Sequence, residues 1–312
     1  RGDVPSVPSA IAKYHCTTLA REVSKDVMDI IGGKGIALGP RNFAGRAWQA
    51  APIAITVEGA NIMTRSLLIF GQGSILCHPY ILKEMRAAQD PDAKAGLEAL
   101  DAALYPHIGG AISNAARSFW FGLTGARLQA GVAGDAYTRK FFRKLNRYAA
   151  NLALLTDISL GALGGRLKFK ESLSGRLGDV LSHLYMMAAV LKRHHDEGCP
   201  DADKPLLAWT FHNSAYEIEL ALSQALRNFP IKPLGWLLWP LVFPLGRRAE
   251  APGDRLSRRV ANLLMNPNEA RERLAAGVFL TPGDNNPGGR INSYLAQAIA
   301  AEPVERKFLK AL

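Results

Sequence analysis

The sequence predicts an all-α protein, and three observations lead to this fold class. Apolar residues recur at three- and four-residue spacing along most of the chain, which is the period of an amphipathic helix. No stretch keeps the two-residue alternation of a half-buried strand. The 312 residues are 48% hydrophobic and 21% charged, so the chain can bury a full core and is long enough for two domains.

The N-terminal part is expected to form three helices. In Ile11–Ile31 the apolar residues keep helical spacing, and Gly32 and Gly33 then end the helix as a left-handed cap does. Residues 32–52 are rich in glycine and contain two prolines, so they are predicted to be a loop. Two further helices are predicted, at about Ala60–Ile75 and Tyr80–Gln89.

The character of the chain changes at Asp90-Pro91-Asp92, which predicts a boundary between a domain of residues 1–90 and one of residues 91–312. Beyond it the helical pattern is strong. The predicted helices are Ala95–Tyr105, Ala111–Ala130, Ala136–Leu160, Leu177–Asp196 and Leu206–Asn228. The C-terminal tail is predicted to hold short helices and a turn at residues 281–289.

The net charge of +11 is concentrated in one segment. Residues 127–176 hold 10 Lys and Arg against 3 Asp and Glu. Five of these cations share three- and four-residue spacing and predict a basic stripe on one helix: Arg139, Lys140, Arg143, Lys144 and Arg147. Such a patch favours nucleic acid, acidic lipid or phosphorylated ligands. Nucleic acid is disfavoured, since no zinc-ligand spacing or recognition motif accompanies the charge.

The most hydrophobic segment is residues 229–248. Its apolar core, Trp236 to Leu245, is about half the roughly 20 residues that a spanning helix needs. Pro233, Pro240 and Pro244 interrupt a regular helix. Two interpretations stay open: a buried connection, or a loop that dips into one membrane leaflet.

Two motifs in order carry a family resemblance. The helix end "DIIGGKG" (residues 29–35) is followed by "ITVEGANIMTR" (residues 55–65), which leads into an apolar helix. This order resembles the C-terminal bundle of flavin-dependent acyl-CoA dehydrogenases, in which Gln-Ile-x-Gly-Gly-x-Gly precedes a loop and Tyr-Glu-Gly-Thr. The continuation "LLIFGQGSILCHPYILKEM" and the residues after it are similar to the bacterial long-chain subfamily. The resemblance implies the helical bundle of that fold in residues 1–90 and an additional helical domain in residues 91–312.

The resemblance also implies roles for single residues. Glu58 matches the catalytic base, which removes the α-proton of an acyl-CoA while the β-hydrogen leaves as hydride to FAD, giving trans-2-enoyl-CoA. Gly32 and Gly33 match the diglycine whose backbone lies against the FAD of a neighbouring subunit. Gly59 would let the ligand approach the backbone closely, and Ala60 replaces a threonine that contacts the flavin nucleotide.

Apolar neighbours are expected to enclose Glu58 in a pocket that makes it a stronger base: Ile55, Val57, Ile62 and Met63. The alternative for Glu58 is a partly exposed loop carboxylate. Asp29, Val57, Ala60 and the pair Gln49-Ala50 depart from the family pattern. These differences affect side-chain contacts to FAD and leave the base in place.

The resemblance implies an acyl-CoA substrate, an electron-transfer acceptor protein and a homo-oligomer as partners. The expected location is cytoplasmic, with a peripheral contact to the inner face of the membrane left open. The chain starts with Arg1-Gly2-Asp3 and shows no β domain, so a fragment that is inactive alone is expected. The alternative function is a non-catalytic membrane-docking or assembly module in residues 91–312.

No metal site is predicted. The run His194-His195-Asp196-Glu197 is interpreted as a solvated helix end, because adjacent residues on a helix point in different directions. His78, next to Pro79, is interpreted as a capping residue at a helix start.

Overall fold

A computed structural model describes residues 5–40, 42–283 and 285–311, and these ranges contain helices and no strand. The all-α prediction is therefore confirmed. Arg1-Gly2-Asp3 and the predicted turn residue Asp284 lie outside the described residues. The α-helices are α1 (Ser6–Ile31), α2 (Gly33–Ile36), α3 (Gly45–Thr56), α4 (Asn61–Met63), α5 (Gly73–Leu76), α6 (Ile81–Ala87), α7 (Ala93–Thr124), α8 (Arg139–Leu163), α9 (Glu171–Asp196), α10 (Lys204–Arg227), α11 (Lys232–Val242), α12 (Asp254–Met265), α13 (Glu269–Ala275) and α14 (Pro287–Ala311).

The loop predicted for residues 32–52 is wrong, because α2 and most of α3 lie there. The side chain of Asn42 organises this segment. Its amide donates to the Gly35 and Ala37 carbonyls at 2.7 and 3.0 Å, and its oxygen accepts from the N–H groups of Ala44 and Gly45. A capping asparagine starts α3 in a segment that its prolines and glycines had marked as irregular.

The helix that follows the Glu58-Gly59 motif, called the motif helix below, runs from Asn61 to Leu76 and agrees with the predicted Ala60–Ile75. Its middle part, Thr64–Gln72, is π-helical. It packs on α9 of the C-terminal part. A Cβ on Gly178 would lie 2.4 Å from the Arg65 carbonyl oxygen, so the two backbones are in close contact. The Arg65 guanidinium binds the Asp179 carboxylate through two nitrogens, with Nε 2.7 Å from Oδ1.

The main hydrophobic core lies between α8, α9 and α10, where the predicted helices are confirmed. Phe211, Ile218 and Leu222 of α10 are fully buried there. The two helices predicted at Ala95–Tyr105 and Ala111–Ala130 are one helix, α7, which continues through Pro106. A proline removes one donor and kinks a helix, and the packing of α7 on α6 and α8 outweighs this cost.

The hydrophobic segment 229–248 forms α11 and the turn after it. Pro233 lies in the first turn, where its missing N–H has no helical partner, and Pro240 is tolerated near the C-terminal end. Leu238 and Val242 are buried, but the side chains of Trp236 and Leu237 are 73% and 64% exposed. The segment is therefore buried on one face of α11 and exposed on the other.

No single described helix is long and apolar enough to cross a membrane; the bent pair Gly45–Thr56 and Asn61–Leu76, at 45°, meets that criterion by length and composition together.

The basic stripe predicted on α8 is only partly a surface feature. Arg139 and Lys140 are exposed, and Lys144 is half-buried. Arg147 is buried, and its Nη1 lies 3.4 Å from Oε1 of the fully buried Glu219 on α10. Spacing alone assigned Arg147 to the solvent side, but the buried Glu219 carboxylate on α10 compensates its charge. In the tail, α14 has 25 residues and is longer than the short helices expected there.

Candidate functional site

Glu58 and Gly59 form the turn between α3 and α4. Gly59 has φ +89°, which glycine adopts without strain, but Glu58 has φ +52°. A residue with a Cβ costs of order 1–3 kcal/mol in this left-handed region, and such residues cluster at functional sites. The turn therefore holds Glu58 in a conformation that its own backbone disfavours.

Contacts from α1 fix this turn in place. The Lys13 amino group donates to the Gly59 carbonyl at 2.8 Å and to Asn61 Oδ1 at 2.7 Å. Asn61 is buried, and its amide donates to Thr17 Oγ1 at 2.9 Å. Sequence reasoning missed Lys13 and Asn61, because a lysine on a helix and an asparagine near a helix start are ordinary surface residues.

The apolar pocket expected around Glu58 is not formed by the described residues. Glu58 is exposed, and three of the four side chains expected to enclose it are exposed too: Val57, Ile62 and Met63. Ile55 is half-buried. The residues that anchor the turn come from α1 and contact its other side. The prediction of a pocket made by this chain's own side chains is therefore wrong.

The diglycine offers bare backbone to a ligand. Gly32 caps the C-terminal end of α1 and has φ +61°. Its N–H donates a hydrogen bond to the Met28 carbonyl at 2.9 Å, which holds it in place. Among the described residues, apart from the chain neighbours and the local helix backbone, no atom lies within 4 Å of where a Cβ on Gly32 or Gly33 would stand. This open, side-chain-free backbone fits a flat ligand such as the flavin nucleotide. Ala60 contributes backbone alone, since it lacks the family's hydroxyl.

A comparison with known protein families shows which family this chain belongs to. The family described as acyl-CoA dehydrogenase, C-terminal, bacterial type matches residues 75–312. This chain is a member of that family. No solved structure matches it. The match covers α6 to α14, and the turn with Glu58 lies before its first residue.

The chain also contains a polar cluster that sequence reasoning missed. His78, His107 and Asp157 each offer one atom that could bind a metal ion, and these three atoms lie within 4.8 Å of one another. His78 Nε2 lies 2.8 Å from Asp157 Oδ1, and His107 Nδ1 lies 2.7 Å from Glu84 Oε1. The cluster joins α6, α7 and α8.

Hydrogen bonding accounts for this cluster without an ion. The Tyr80 and Ile81 N–H groups donate to His78 Nδ1 at 3.2 Å, which confirms that His78 caps α6. In the neutral ring the proton then lies on Nε2, which donates to Asp157 and has no lone pair for a metal. Burial alone would raise the pKa of the Asp157 carboxyl, but hydrogen bonds from His78, Asn114 and His107 outweigh this and lower it.

The run His194-His195-Asp196-Glu197 is only partly the solvated helix end that was expected. His195 is exposed, but His194 is 5% exposed, and neither of its ring nitrogens has a hydrogen-bond partner among the described residues. His194 faces α8 across a cavity of about 580 Å³. The sequence could not show this difference, because it depends on which face of α9 packs inward.

Proposed function

We propose that this chain is the C-terminal portion of an enzyme of fatty-acid β-oxidation. The reaction is the FAD-dependent α,β-dehydrogenation of a medium- or long-chain acyl-CoA to trans-2-enoyl-CoA, with Glu58 as the catalytic base. The observation that supports this most is the backbone of Glu58. The φ of Glu58 is strained, and Lys13 anchors the turn through the Gly59 carbonyl. An exposed carboxylate on such a turn costs stability and is accessible to a ligand.

The residues of this chain supply the proton chemistry. The Glu58 carboxylate takes the α-proton of the thioester, and its own N–H donates to the thioester carbonyl as negative charge develops there. Lys13 holds the Gly59 carbonyl, so the turn keeps its position while the proton moves. FAD, when bound, supplies the acceptor of the β-hydride. The α-proton and the β-hydride together account for the two hydrogens lost from the substrate.

The exposed backbone of Gly32 and Gly33 supports a homo-oligomer in which the FAD of a neighbouring subunit lies against this chain. Apolar side chains near the turn support the same arrangement, since Val57, Ile62 and Met63 are exposed in the isolated chain. We further propose that an electron-transfer protein reoxidises the flavin. The proposed location of the enzyme is the cytoplasm.

The test is Glu58→Gln in the enzyme that joins this chain to the flavin-binding domains. FAD content is measured first, and then the loss of flavin absorbance without oxygen after a long-chain acyl-CoA is added. FAD should stay bound while bleaching slows by about 10²–10⁴-fold, the usual contribution of a general base. Glu98→Gln, at an exposed carboxylate on α7, is the matched control. Bleaching of Glu58→Gln at the wild-type rate would contradict the assignment.

A second candidate function is docking to a membrane surface through α11. Trp236 and Leu237 are exposed there beside Lys232, a combination that suits the headgroup region. The neighbouring α7 packs on this segment through a hydrogen bond from Ser118 to the Leu241 carbonyl and adds an exposed Trp120. Docking and dehydrogenation are compatible, since long-chain thioesters partition into membranes.

Co-sedimentation with vesicles of phosphatidylcholine and phosphatidylglycerol tests this second function. The double variant Trp236→Ser with Leu237→Ser should lose most of the bound fraction. Phe169→Ser removes an equally exposed aromatic side chain elsewhere and should bind as the wild type does. Equal binding by all three proteins would exclude α11 as the docking element.

A further inference from the structure

An open cleft of about 650 Å³ lies between α8, α10 and the start of α12. Its lining combines four basic side chains with one carboxylate, Glu250. The cations are Lys144, Arg248, Arg255 and Arg259, and His212 also lines the cleft. Three separate segments of the chain thus bring positive charge to one concave place.

These four cations are not neutralised within the described part of the chain. No carboxylate oxygen there lies within 4.0 Å of the side-chain nitrogens of Lys144, Arg248, Arg255 or Arg259. Other arginines of the same protein are paired, such as Arg65 with Asp179 and Arg273 with Asp203. Like charges held together without a paired carboxylate repel one another, and an anion in the cleft relieves that repulsion.

The walls of the cleft are held by specific contacts. Oε2 of the fully buried Glu219 accepts from the N–H groups of Arg248 and Ala249 at 2.8 and 2.9 Å, which fixes the segment after α11. The Trp209 indole N–H donates to Ser257 Oγ at 3.2 Å, which fixes α12 on α10. The cations are therefore carried by backbone that is already in place before a ligand arrives.

The N-terminus of α12 adds to the field in the cleft. This 12-residue helix starts at Asp254, and Gly253, Arg255 and Leu256 around its first turn line the cleft. The first N–H groups of a helix lack partners within it and carry partial positive charge. Convergent cations and a helix N-terminus are together the usual features of a phosphate site.

We propose that this cleft binds the phosphate group of a ligand, either a soluble phosphate ester or the headgroup of an anionic lipid. The site is separate from Glu58 and does not depend on the proposed dehydrogenase activity. Lys144 and Arg255 face the phosphate from α8 and α12, and Arg248 faces it from the anchored segment.

A phosphate bound in the cleft would change the protonation equilibrium of Lys144. Burial lowers the pKa of its amino group, and the charges of Arg147 and Lys140 lower it further, against the opposing charge of Glu219. A phosphate in the cleft favours the charged form of Lys144 and reverses this effect.

The test measures binding of two probes to the intact 312-residue chain at constant ionic strength. Inorganic pyrophosphate is titrated by calorimetry, and vesicles of phosphatidylcholine with and without phosphatidylglycerol are used in co-sedimentation. Lys144→Glu and the exposed-site variant Arg255→Ala should each weaken binding by about tenfold or more, since each removes a charge-assisted contact. Arg166→Glu makes the same charge change as Lys144→Glu at an exposed site beyond the far end of α8 and should leave binding unchanged. Circular dichroism verifies that each variant is folded.

The two probes distinguish the sources of the phosphate. Binding of pyrophosphate that Arg255→Ala weakens supports a soluble ester, and binding of phosphatidylglycerol vesicles alone, with the same dependence, supports a lipid headgroup. The proposal is overturned if the wild type binds neither probe, or if Arg166→Glu weakens binding as much as Lys144→Glu. None of these results involves flavin bleaching, so failure here and failure of the dehydrogenase assignment are distinguishable.

Discussion

Removal of the Glu219 carboxylate should be among the most damaging single changes in this protein. Oε1 accepts from the Tyr148 hydroxyl at 3.0 Å and lies 3.4 Å from Arg147 Nη1, and Oε2 accepts from the Arg248 and Ala249 N–H groups. Glu219→Ala leaves two backbone donors, one hydroxyl and one buried guanidinium without their partner. Breaking a buried charge pair in this way costs about 3–5 kcal/mol.

Urea unfolding measures this cost, because the free energy of unfolding extrapolates linearly to water. Glu217→Ala, two residues earlier on α10, is the matched control and should change stability by less than about 0.5 kcal/mol, as usual for a site without specific contacts. Glu219→Gln keeps an acceptor for the two N–H groups and should cost less than Glu219→Ala. A loss under about 1 kcal/mol for Glu219→Ala would refute the inferred network, since even one unpaired buried donor costs that much.

Three further changes have expected outcomes. Glu58→Gly should raise the free energy of unfolding by about 1 kcal/mol, because it relieves the positive φ, while it abolishes catalysis; equal or lower stability in urea would mean that the turn is unstrained. Burial, followed by the charge of His15, lowers the pKa of His183 to about 4. Because the unfolded chain then binds more protons, up to about 3 kcal/mol of stability should be lost as pH falls from about 6.5 to 4, and His183→Gln should flatten that profile. Gly178→Ala places a methyl 2.4 Å from the Arg65 carbonyl and should cost about 1–3 kcal/mol or more, whereas Gly109→Ala, with open space around it, should stabilise α7. Thermal melts that rank these two variants the other way would contradict the packing of the motif helix on α9.

Local pattern was enough to predict the helical class and most of the long helices. The spacing of apolar residues predicted α8, α9 and α10 within a few residues, because each has one face against the core. The same spacing predicted α1, although Leu19, Val23 and Ile30 on that helix are exposed. Proline and glycine were less informative than expected. Pro106 lies inside α7, and α3 starts in a segment that its glycines had marked as loop, with Asn42 as the cap.

The site could be predicted only in part, for a physical reason. The order of the diglycine and the Glu58-Gly59 pair is local, so the sequence pointed to the turn. Its anchoring is not local, since Lys13 and Gly59 are 46 residues apart and meet only when α1 packs on α3 and α4. The same holds for Glu219, whose partners at Arg248 and Ala249 come from a segment about 30 residues away. Two glutamates of one helix, Glu217 and Glu219, look alike in sequence and differ in burial through packing alone.

Proton exchange measures the proposed removal of the substrate's α-proton by Glu58 apart from hydride transfer. The complete enzyme is incubated with an acyl-CoA in D₂O, and deuterium at the α-carbon of recovered substrate is followed by mass spectrometry. Wild type should incorporate deuterium, and Glu58→Gln should do so no faster than the uncatalysed exchange, with FAD still bound. Deuterium incorporation by Glu58→Gln at the wild-type rate would contradict the claim and assign the base to another residue.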